Sequence, residues 1–152
     1  MSKLSIVIYS DDSTVRQSLR TALGARLSPE FPENEIHEFA TADALRLFAV
    51  ESNRENRKKI SLFILDGEAT PEGGLGLAKQ LKDELFNCPP TIVVVGRSQD
   101  AWLAGWSRAD GVITHPIDPF TIGKTVISVL SKAGSLADRK STRLNSSHEF
   151  VS

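Results

Sequence analysis

The sequence ISLFILD, residues 60–66, decides the fold of this chain. Apart from one serine, its residues before the aspartate are apolar, and the run has the length of a strand buried on both faces. Such strands occur in parallel sheets that helices cover on both sides. A glycine-rich loop, DGEATPEGGLG in residues 66–76, follows at once. We therefore predict that Asp66 ends a buried strand and opens a glycine-rich loop.

The rest of the chain alternates strands with helices around this segment. Short β-branched or apolar runs predict strands, and apolar residues three or four apart predict helices between them. The strands are predicted at residues 4–9, around Ile36 and Phe39, and at 60–65, 91–95 and 111–114. The predicted fold class is α/β, a doubly wound five-stranded parallel sheet in a three-layer αβα sandwich.

Bulk properties exclude several functions. The chain has 152 residues and a net charge of −1, with no basic stripe, so we expect no binding to nucleic acid. No apolar run is long enough to span a bilayer and no signal peptide is recognisable, so we expect a cytoplasmic protein without membrane contact. The single cysteine, Cys88, cannot form an internal disulfide and is interpreted as a half-buried filler.

Ionisable residues follow several predicted strands. Asp11 and Asp12 come after the first strand, Asp66 after the third and His115 after the fifth. The carboxyl ends of parallel strands share one edge of the sheet, and carboxylates gathered there repel unless a cation such as Mg²⁺ neutralises them. A carboxylate beside such an ion can act as a nucleophile towards phosphorus. For Asp12, a simple helix-capping role is an equal alternative.

This arrangement resembles the receiver domains of two-component response regulators over residues 4–133. The shared features are the βα order, the acid after strand one, Asp66, Gly74 eight residues later and Pro116 after the fifth strand. The resemblance implies a flavodoxin-like (receiver) fold. It implies a protein that is not an enzyme and that acts through protein contacts, with a sensor histidine kinase or another signalling protein as partner.

The resemblance also implies roles for single residues. Asp66 would be the phosphoacceptor, and Asp11 together with the backbone carbonyl of Glu68 would bind Mg²⁺. Two registers stay open at the first strand. Alignment on the downstream helix puts Ser10 in the place of the family's first acid, whereas a shift by one residue would make Asp11 and Asp12 the acidic pair.

Several positions depart from the family's pattern. Gly96 stands where the family has a switch serine or threonine, with Ser98 as a weak substitute two residues on, and His115 stands where it has a lysine. Pro71 comes one residue later than the family's loop proline. These departures favour an atypical receiver, and they keep open a pseudo-receiver that binds a partner without phosphate.

Two enzymatic or cofactor-binding rivals are weaker. Asp66, Glu68 and Thr70 echo the Asp-x-Asp-x-Thr motif of haloacid-dehalogenase-type phosphatases, but in that superfamily the nucleophile ends the first strand. A flavin-binding protein of the same topology is disfavoured because the first loop, SDDSTV in residues 10–15, is acidic where an anionic phosphate would dock.

Apolar residues near the end of the domain have two interpretations. Trp102 and Trp106 lie four apart on one predicted helix face; core packing is the commoner role of such pairs, and an exposed partner surface is the alternative. Phe120, Ile122 and Val126 on the last helix fit either the core or a homodimer face.

The domain is predicted to end near residue 134. Residues 135–152 lose the hydrophobic rhythm and are expected to be a non-native or disordered tail. The string DRKSTRLNSSH, residues 138–148, resembles the translation of a common sequencing-library adapter. We therefore exclude this tail from the predicted fold.

Overall fold

A computed structural model describes residues 3–54, 59–70, 72–85, 87–97 and 100–146, with only the backbone at 53, 104 and 134–146. Ser98 and Pro71 lie outside the described residues. Strands and helices alternate along the chain. They are β1 (Leu4–Tyr9), α1 (Ser13–Leu23), β2 (Asn34–Phe39), α2 (Ala42–Asn53), β3 (Leu62–Asp66), α3 (Gly74–Glu84), β4 (Thr91–Val95), α4 (Trp102–Trp106), β5 (Gly111–Thr114) and α5 (Pro119–Ser146).

The strands form one parallel sheet in the order β2-β1-β3-β4-β5. The predicted doubly wound α/β fold is therefore confirmed, and β3 is the central strand. Tyr9 pairs with Leu65 in register, Asp66 with Val94 and Val95 with Thr114. The carboxyl ends of four strands consequently meet at one edge, which is where the predicted site residues stand.

Two apolar clusters cover the two faces of the sheet. Side chains alternate along a strand, so Ile6 and Ile8 of β1 join one cluster while Val7 and Tyr9 join the other. The first cluster contains residues of α1 and α5, and the second contains residues of α2 and α3. All four of these β1 residues are at most 1% exposed, so the sheet is covered on both sides.

The apolar residues of α2 are not all buried. Leu47 and Val50 are 65% and 45% exposed. Leu45 and Ala49, which are buried, supply the contact with the core instead. The helix contacts β2 at the edge of the sheet, where Leu47 lines a surface groove together with His37 and Phe39 of that strand.

α5 begins after a capping aspartate. Asp118 Oδ2 accepts hydrogen bonds from the backbone N–H of Thr121 and from its hydroxyl. Ile122 and Val126 are fully buried, so the dimer-face interpretation of these two is wrong, while Phe120 is 73% exposed. The helix is continuous to Ser146, and the predicted end of the domain near residue 134 stays a prediction. The foreign origin of the tail stays a prediction.

The structure bears on the predictions about the single cysteine and about membrane-spanning segments. Cys88 is a free, half-buried cysteine, and burial raises the pKa of its thiol to about 11. In the described part of the chain, no helix has both the length and the apolar composition that crossing a bilayer requires.

Candidate functional site

Asp66 lies at the carboxyl end of the central strand and is only 2% exposed. Its Oδ2 accepts a 2.7 Å hydrogen bond from the hydroxyl of Ser10, and its Oδ1 accepts one of 2.9 Å from the backbone N–H of Glu68. A buried carboxylate is costly unless donors replace the water it has lost. These two donors give each oxygen of the buried Asp66 side chain a hydrogen-bond partner at the edge of the sheet.

Ser10 and Asp12, in the loop after β1, have different roles. Ser10 is fully buried beside Asp66, and Arg16 donates a 2.7 Å hydrogen bond to the Ser10 carbonyl. The carboxylate of Asp12 instead caps α1 by accepting from the N–H of Thr14. The structure therefore favours the register in which Ser10 takes the place of the family's first acid, and it gives Asp12 the capping role.

Asp11 stands at the exposed mouth of the site. Its Oδ2 accepts a 3.1 Å hydrogen bond from the hydroxyl of Thr70, which links the loop after β1 to the loop after β3. Thr70 is the last residue of the phosphatase-like motif Asp66, Glu68 and Thr70. In the structure its hydroxyl instead holds the loop after β1 in place. Asp11 thus keeps an accessible carboxylate on the same edge as Asp66.

Glu68 fills the space that Gly96 leaves at the end of β4. A Cβ at position 96 would lie 3.2 Å from Cδ of Glu68 and 3.3 Å from each carboxylate oxygen. The backbone of the loop is fixed here because the N–H of Gly67 donates a 2.7 Å hydrogen bond to the carbonyl of Val94. A carboxylate therefore lies beside the position at which the family pattern has a hydroxyl-bearing side chain, an arrangement that sequence reasoning did not anticipate.

His115 reaches towards the same carboxylate from β5. Its Nε2 lies 3.9 Å from Oδ1 of Asp66, which is an ion-pair distance for a protonated ring but too long for a hydrogen bond. The backbone N–H of His115 donates to the carbonyl of Val95, and a cis peptide bond joins His115 to Pro116. The structure thus brings His115 to Asp66, at the position where the family has lysine.

Gly74 explains how α3 comes so close to the site. A Cβ here would lie 2.7 Å from the carbonyl oxygen of Asp66 and 2.7 Å from the carbonyl carbon of Leu65. No side chain fits in that space, so glycine is required at the start of α3. This contact positions the end of β3, and with it the carboxylate of Asp66.

A second set of contacts anchors the loop between β3 and α3. The hydroxyl of Tyr9 donates to the backbone carbonyl of Glu72, and the carboxylate of Glu72 pairs with Arg46 on α2. Burial, and then the charges of Glu72 and Asp11, raise the pKa of Tyr9. Sequence analysis missed this anchor; the only available signal was the tyrosine that ends a mostly aliphatic strand.

The site suits a hydrated metal ion better than a protein cage. Among the described residues, no three histidine, cysteine, aspartate or glutamate side chains are grouped so that they could hold a metal ion. Mg²⁺, however, usually keeps several waters and needs only one or two carboxylates. Asp11 and Asp66, with the backbone carbonyl of Glu68, form a donor set of that limited kind.

The tryptophans of α4 lie on the surface. Trp102 is 70% exposed and Trp106 is 51% exposed, so the core interpretation is wrong and the alternative of an exposed surface holds. Lys79 Nζ of α3 lies 5.9 Å from the ring centroid of Trp106, within the range of a cation–π contact. α4 follows the end of β4, which places both indoles within one short connection of the candidate site.

The fold and the site define a CheY-like receiver domain: a parallel sheet in the order β2-β1-β3-β4-β5 with a buried aspartate ending its central strand. The chain belongs to the response-regulator family. It is 48% identical over 127 residues to an uncharacterised response regulatory protein of Mycobacterium tuberculosis, found in two strains; the match covers 84% of this chain and 91% of the relative. No family model matches the chain.

Solved structures agree on the fold. The receiver domain of a LuxO repressor protein from Vibrio parahaemolyticus has a TM-score of 0.69 at 15% identity, covering 90% of this chain and 96% of that one. The BeF3-activated receiver domain of DrrB, a Thermotoga maritima response regulator, has a TM-score of 0.64 at 14% identity, covering 86% of this chain and 99% of that one. Family membership replaces the phosphatase and flavin hypotheses.

Proposed function

We propose that this chain is an atypical receiver that accepts a phosphoryl group on Asp66 with the help of Mg²⁺ and passes the signal on by protein contacts. The observation that carries the proposal is the buried carboxylate of Asp66 at the end of the central strand, hydrogen-bonded by Ser10 and Glu68. The chain would be the acceptor of a phosphotransfer and not an enzyme in its own right.

Asp11, Asp66 and the backbone carbonyl of Glu68 would hold the Mg²⁺ ion. When bound, the ion neutralises charge on the phosphoryl oxygens. Ser10 supplies a neutral hydroxyl where a second loop carboxylate would strengthen the site, so we expect weak metal binding. The carboxylate of Asp11 is exposed and needs only to exchange its hydrogen bond with Thr70 for a metal contact.

His115 would pair with the phosphorylated side chain. Its Nε2 is 3.9 Å from Oδ1 of Asp66, so the ring is close enough to contact a phosphoryl group carried by that side chain. Gly96 supplies no hydroxyl to follow the phosphoryl group. The output of this receiver would therefore depend on the charge contact with His115 and not on a hydroxyl-coupled switch, which is the sense in which it is atypical.

The expected partner is a sensor histidine kinase or another signalling protein. Trp102 and Trp106 present large exposed indoles on α4, the helix that follows β4, and tryptophans are common anchors of protein interfaces. In a homodimer, the exposed ring of Phe120 would supply the contact, since the buried residues of α5 already belong to the core. Nucleic acid and membranes are not expected partners, and a cytoplasmic location fits this role.

A pseudo-receiver that binds its partner without phosphate is the second candidate. The hydrogen bond from Ser10 favours it, because this bond engages the Asp66 oxygen that the N–H of Glu68 leaves free. In this alternative Asp66 would not be phosphorylated and would serve the structure alone. The surface of α4 would then act constitutively.

Incubation with acetyl phosphate and Mg²⁺, followed by intact-protein mass spectrometry, separates the two candidates. We expect wild type to gain the mass of one phosphoryl group and Asp66→Asn, which has the same shape, to gain none. Omitting Mg²⁺ should abolish the gain. An unmodified wild type, or an equal gain in Asp66→Asn, would reject phosphorylation at this residue and favour the pseudo-receiver.

A further inference from the structure

We infer that the edge of the sheet at β2 binds an extended peptide segment of a partner protein, one that carries apolar side chains together with lysine or arginine. The segment would pair with β2 as an added strand and place its side chains in the groove between β2 and α2. β2 and β5 are the opposite edges of the sheet, and α4 connects β4 to β5. The groove is therefore distinct from the surface of Trp102 and Trp106, and its use does not require phosphorylation of Asp66.

One side of β2 is open to pairing. Of the described strands, only β1 pairs with β2. The carbonyls of Glu33 and Phe39 accept hydrogen bonds from backbone N–H groups of β1 and of the residue that follows it. Because backbone groups alternate in direction along a strand, the N–H and C=O of Ile36 and Glu38 face away from the sheet. An edge strand of this kind can accept a further strand through its main chain.

The groove beside this edge combines an aromatic wall with an exposed leucine. It has a volume of about 800 Å³, a size typical of binding sites. The ring centroids of Phe39 and Phe48 lie 5.2 Å apart, and the ring of His37 lies 4.8 Å from that of Phe48. Leu47, which is 65% exposed, lines the same groove. Alternate side chains of an added strand would point to this face of the sheet and cover the leucine.

One end of the groove is acidic. α2 carries the chain back from the end of β2 to the start of the parallel strand β3, so the helix runs opposite to β2. Glu35 near the start of β2 and Glu51 near the end of α2 therefore lie at the same end of the groove. The described residues that line it include no lysine or arginine, and His37, whose Nε2 lies 3.9 Å from Oε2 of Glu35, is charged only when protonated. This charge favours a cationic side chain on the bound segment.

The test uses the peptide Lys-Thr-Val-Thr-Val-Thr-Lys with blocked termini, titrated into ¹⁵N-labelled protein and monitored by NMR. Its alternate positions place the valines and lysines on one face, and the lysines at both ends serve either strand direction. We expect saturable shifts of the β2 amides, with slower hydrogen exchange at the N–H of Ile36 and Glu38. Binding should weaken as salt is added, and the matched peptide with glutamate in place of lysine should bind more weakly than the lysine peptide.

Leu47→Ser tests the groove itself, and Val50→Ser is the matched control. Val50 is also an exposed apolar residue of α2, but it is not among the described residues that line the groove. Both side chains are exposed, so both variants should fold. We expect Leu47→Ser to weaken peptide binding roughly tenfold through the loss of buried apolar area, and Val50→Ser to bind like wild type.

Absence of peptide-induced shifts in wild type, or equal affinities for wild type and Leu47→Ser, would overturn the inference. Tighter binding of the glutamate peptide would overturn it as well. Shifts of the β2 amides on raising the protein concentration without peptide would assign the edge to a second copy of this chain, again against a partner segment. Each of these results leaves the phosphorylation of Asp66 to its own test with acetyl phosphate.

Discussion

The hydroxyl of Ser10 donates a 2.7 Å hydrogen bond to Oδ2 of Asp66, and both residues are buried. This bond joins the end of β1 to the end of β3 across the candidate site. It uses a neutral donor where the family resemblance leads one to expect an acid. The consequence is a site with one carboxylate fewer at its centre, which should weaken its attraction for divalent cations.

Replacing Ser10 by aspartate should strengthen Mg²⁺ binding. A new carboxylate about 4 Å from a divalent ion contributes roughly 2 kcal/mol in water, so we expect an affinity roughly ten- to thirtyfold higher. Titration with Mg²⁺, monitored by tryptophan fluorescence or calorimetry, measures this affinity. Ser10→Ala is the control, because it removes the hydrogen bond without adding charge. A Ser10→Asp affinity no better than that of Ser10→Ala would contradict this account of the site.

Mutation of Asp12 should affect stability, whereas mutation of Asp11 should affect Mg²⁺ binding. Asp12→Ala should lower the stability of the fold by about 1 kcal/mol through loss of the α1 cap and should leave Mg²⁺ binding nearly unchanged. Asp11→Ala should abolish most Mg²⁺ binding at little cost in stability. Urea unfolding and metal titration of both variants provide the comparison. The reverse pattern would restore the register in which Asp12 belongs to the acidic pair.

Sequence reasoning predicts the fold well because its signals are strong and redundant. The apolar strands repeat with helices between them, and a buried parallel sheet has few ways to arrange them. It left the register around Ser10 open, because three polar residues in a row offer several ways to end a strand. Only the packed structure distinguishes the residue that enters the site from the one that caps the next helix.

Gly74 should tolerate no side chain. Gly74→Ala places a Cβ 2.7 Å from the backbone at the end of β3, so we expect a loss of about 1–3 kcal/mol and disturbance of Asp66. Gly76→Ala is the matched control in the same helix. It meets nothing within 4 Å and should stabilise the protein by about 0.5–1 kcal/mol. Equal unfolding midpoints for the two variants would show that the close approach of α3 is not a constraint.

The exposed tryptophans should matter for contacts and not for folding. Trp102→Ala should change the free energy of unfolding by less than about 1 kcal/mol, since the side chain is 70% exposed. Leu77→Ala, at a fully buried position of α3, should cost about 2–5 kcal/mol. Urea unfolding curves compare them. A loss for Trp102→Ala as large as that for Leu77→Ala would place this indole in a core.

The features that sequence reasoning missed all depend on distances between loops. The spacing of Glu68 and Gly96 along the chain gives no sign that one fills the space left by the other. The anchor from Tyr9 to Glu72 joins residues 63 positions apart. The exposure of Trp102 could not be read from helical spacing either, because the same pattern serves a core face and a surface face.

The most direct test of the central claim is a titration with beryllofluoride in the presence of Mg²⁺, following the fluorescence of Trp102 and Trp106. These indoles lie on α4, one short connection from Gly96, so occupancy of the site should change their signal. We predict a saturable, Mg²⁺-dependent change in wild type that is lost in Asp66→Ala. No change in wild type, or the same change in Asp66→Ala, would contradict the assignment of Asp66 as the phosphoacceptor.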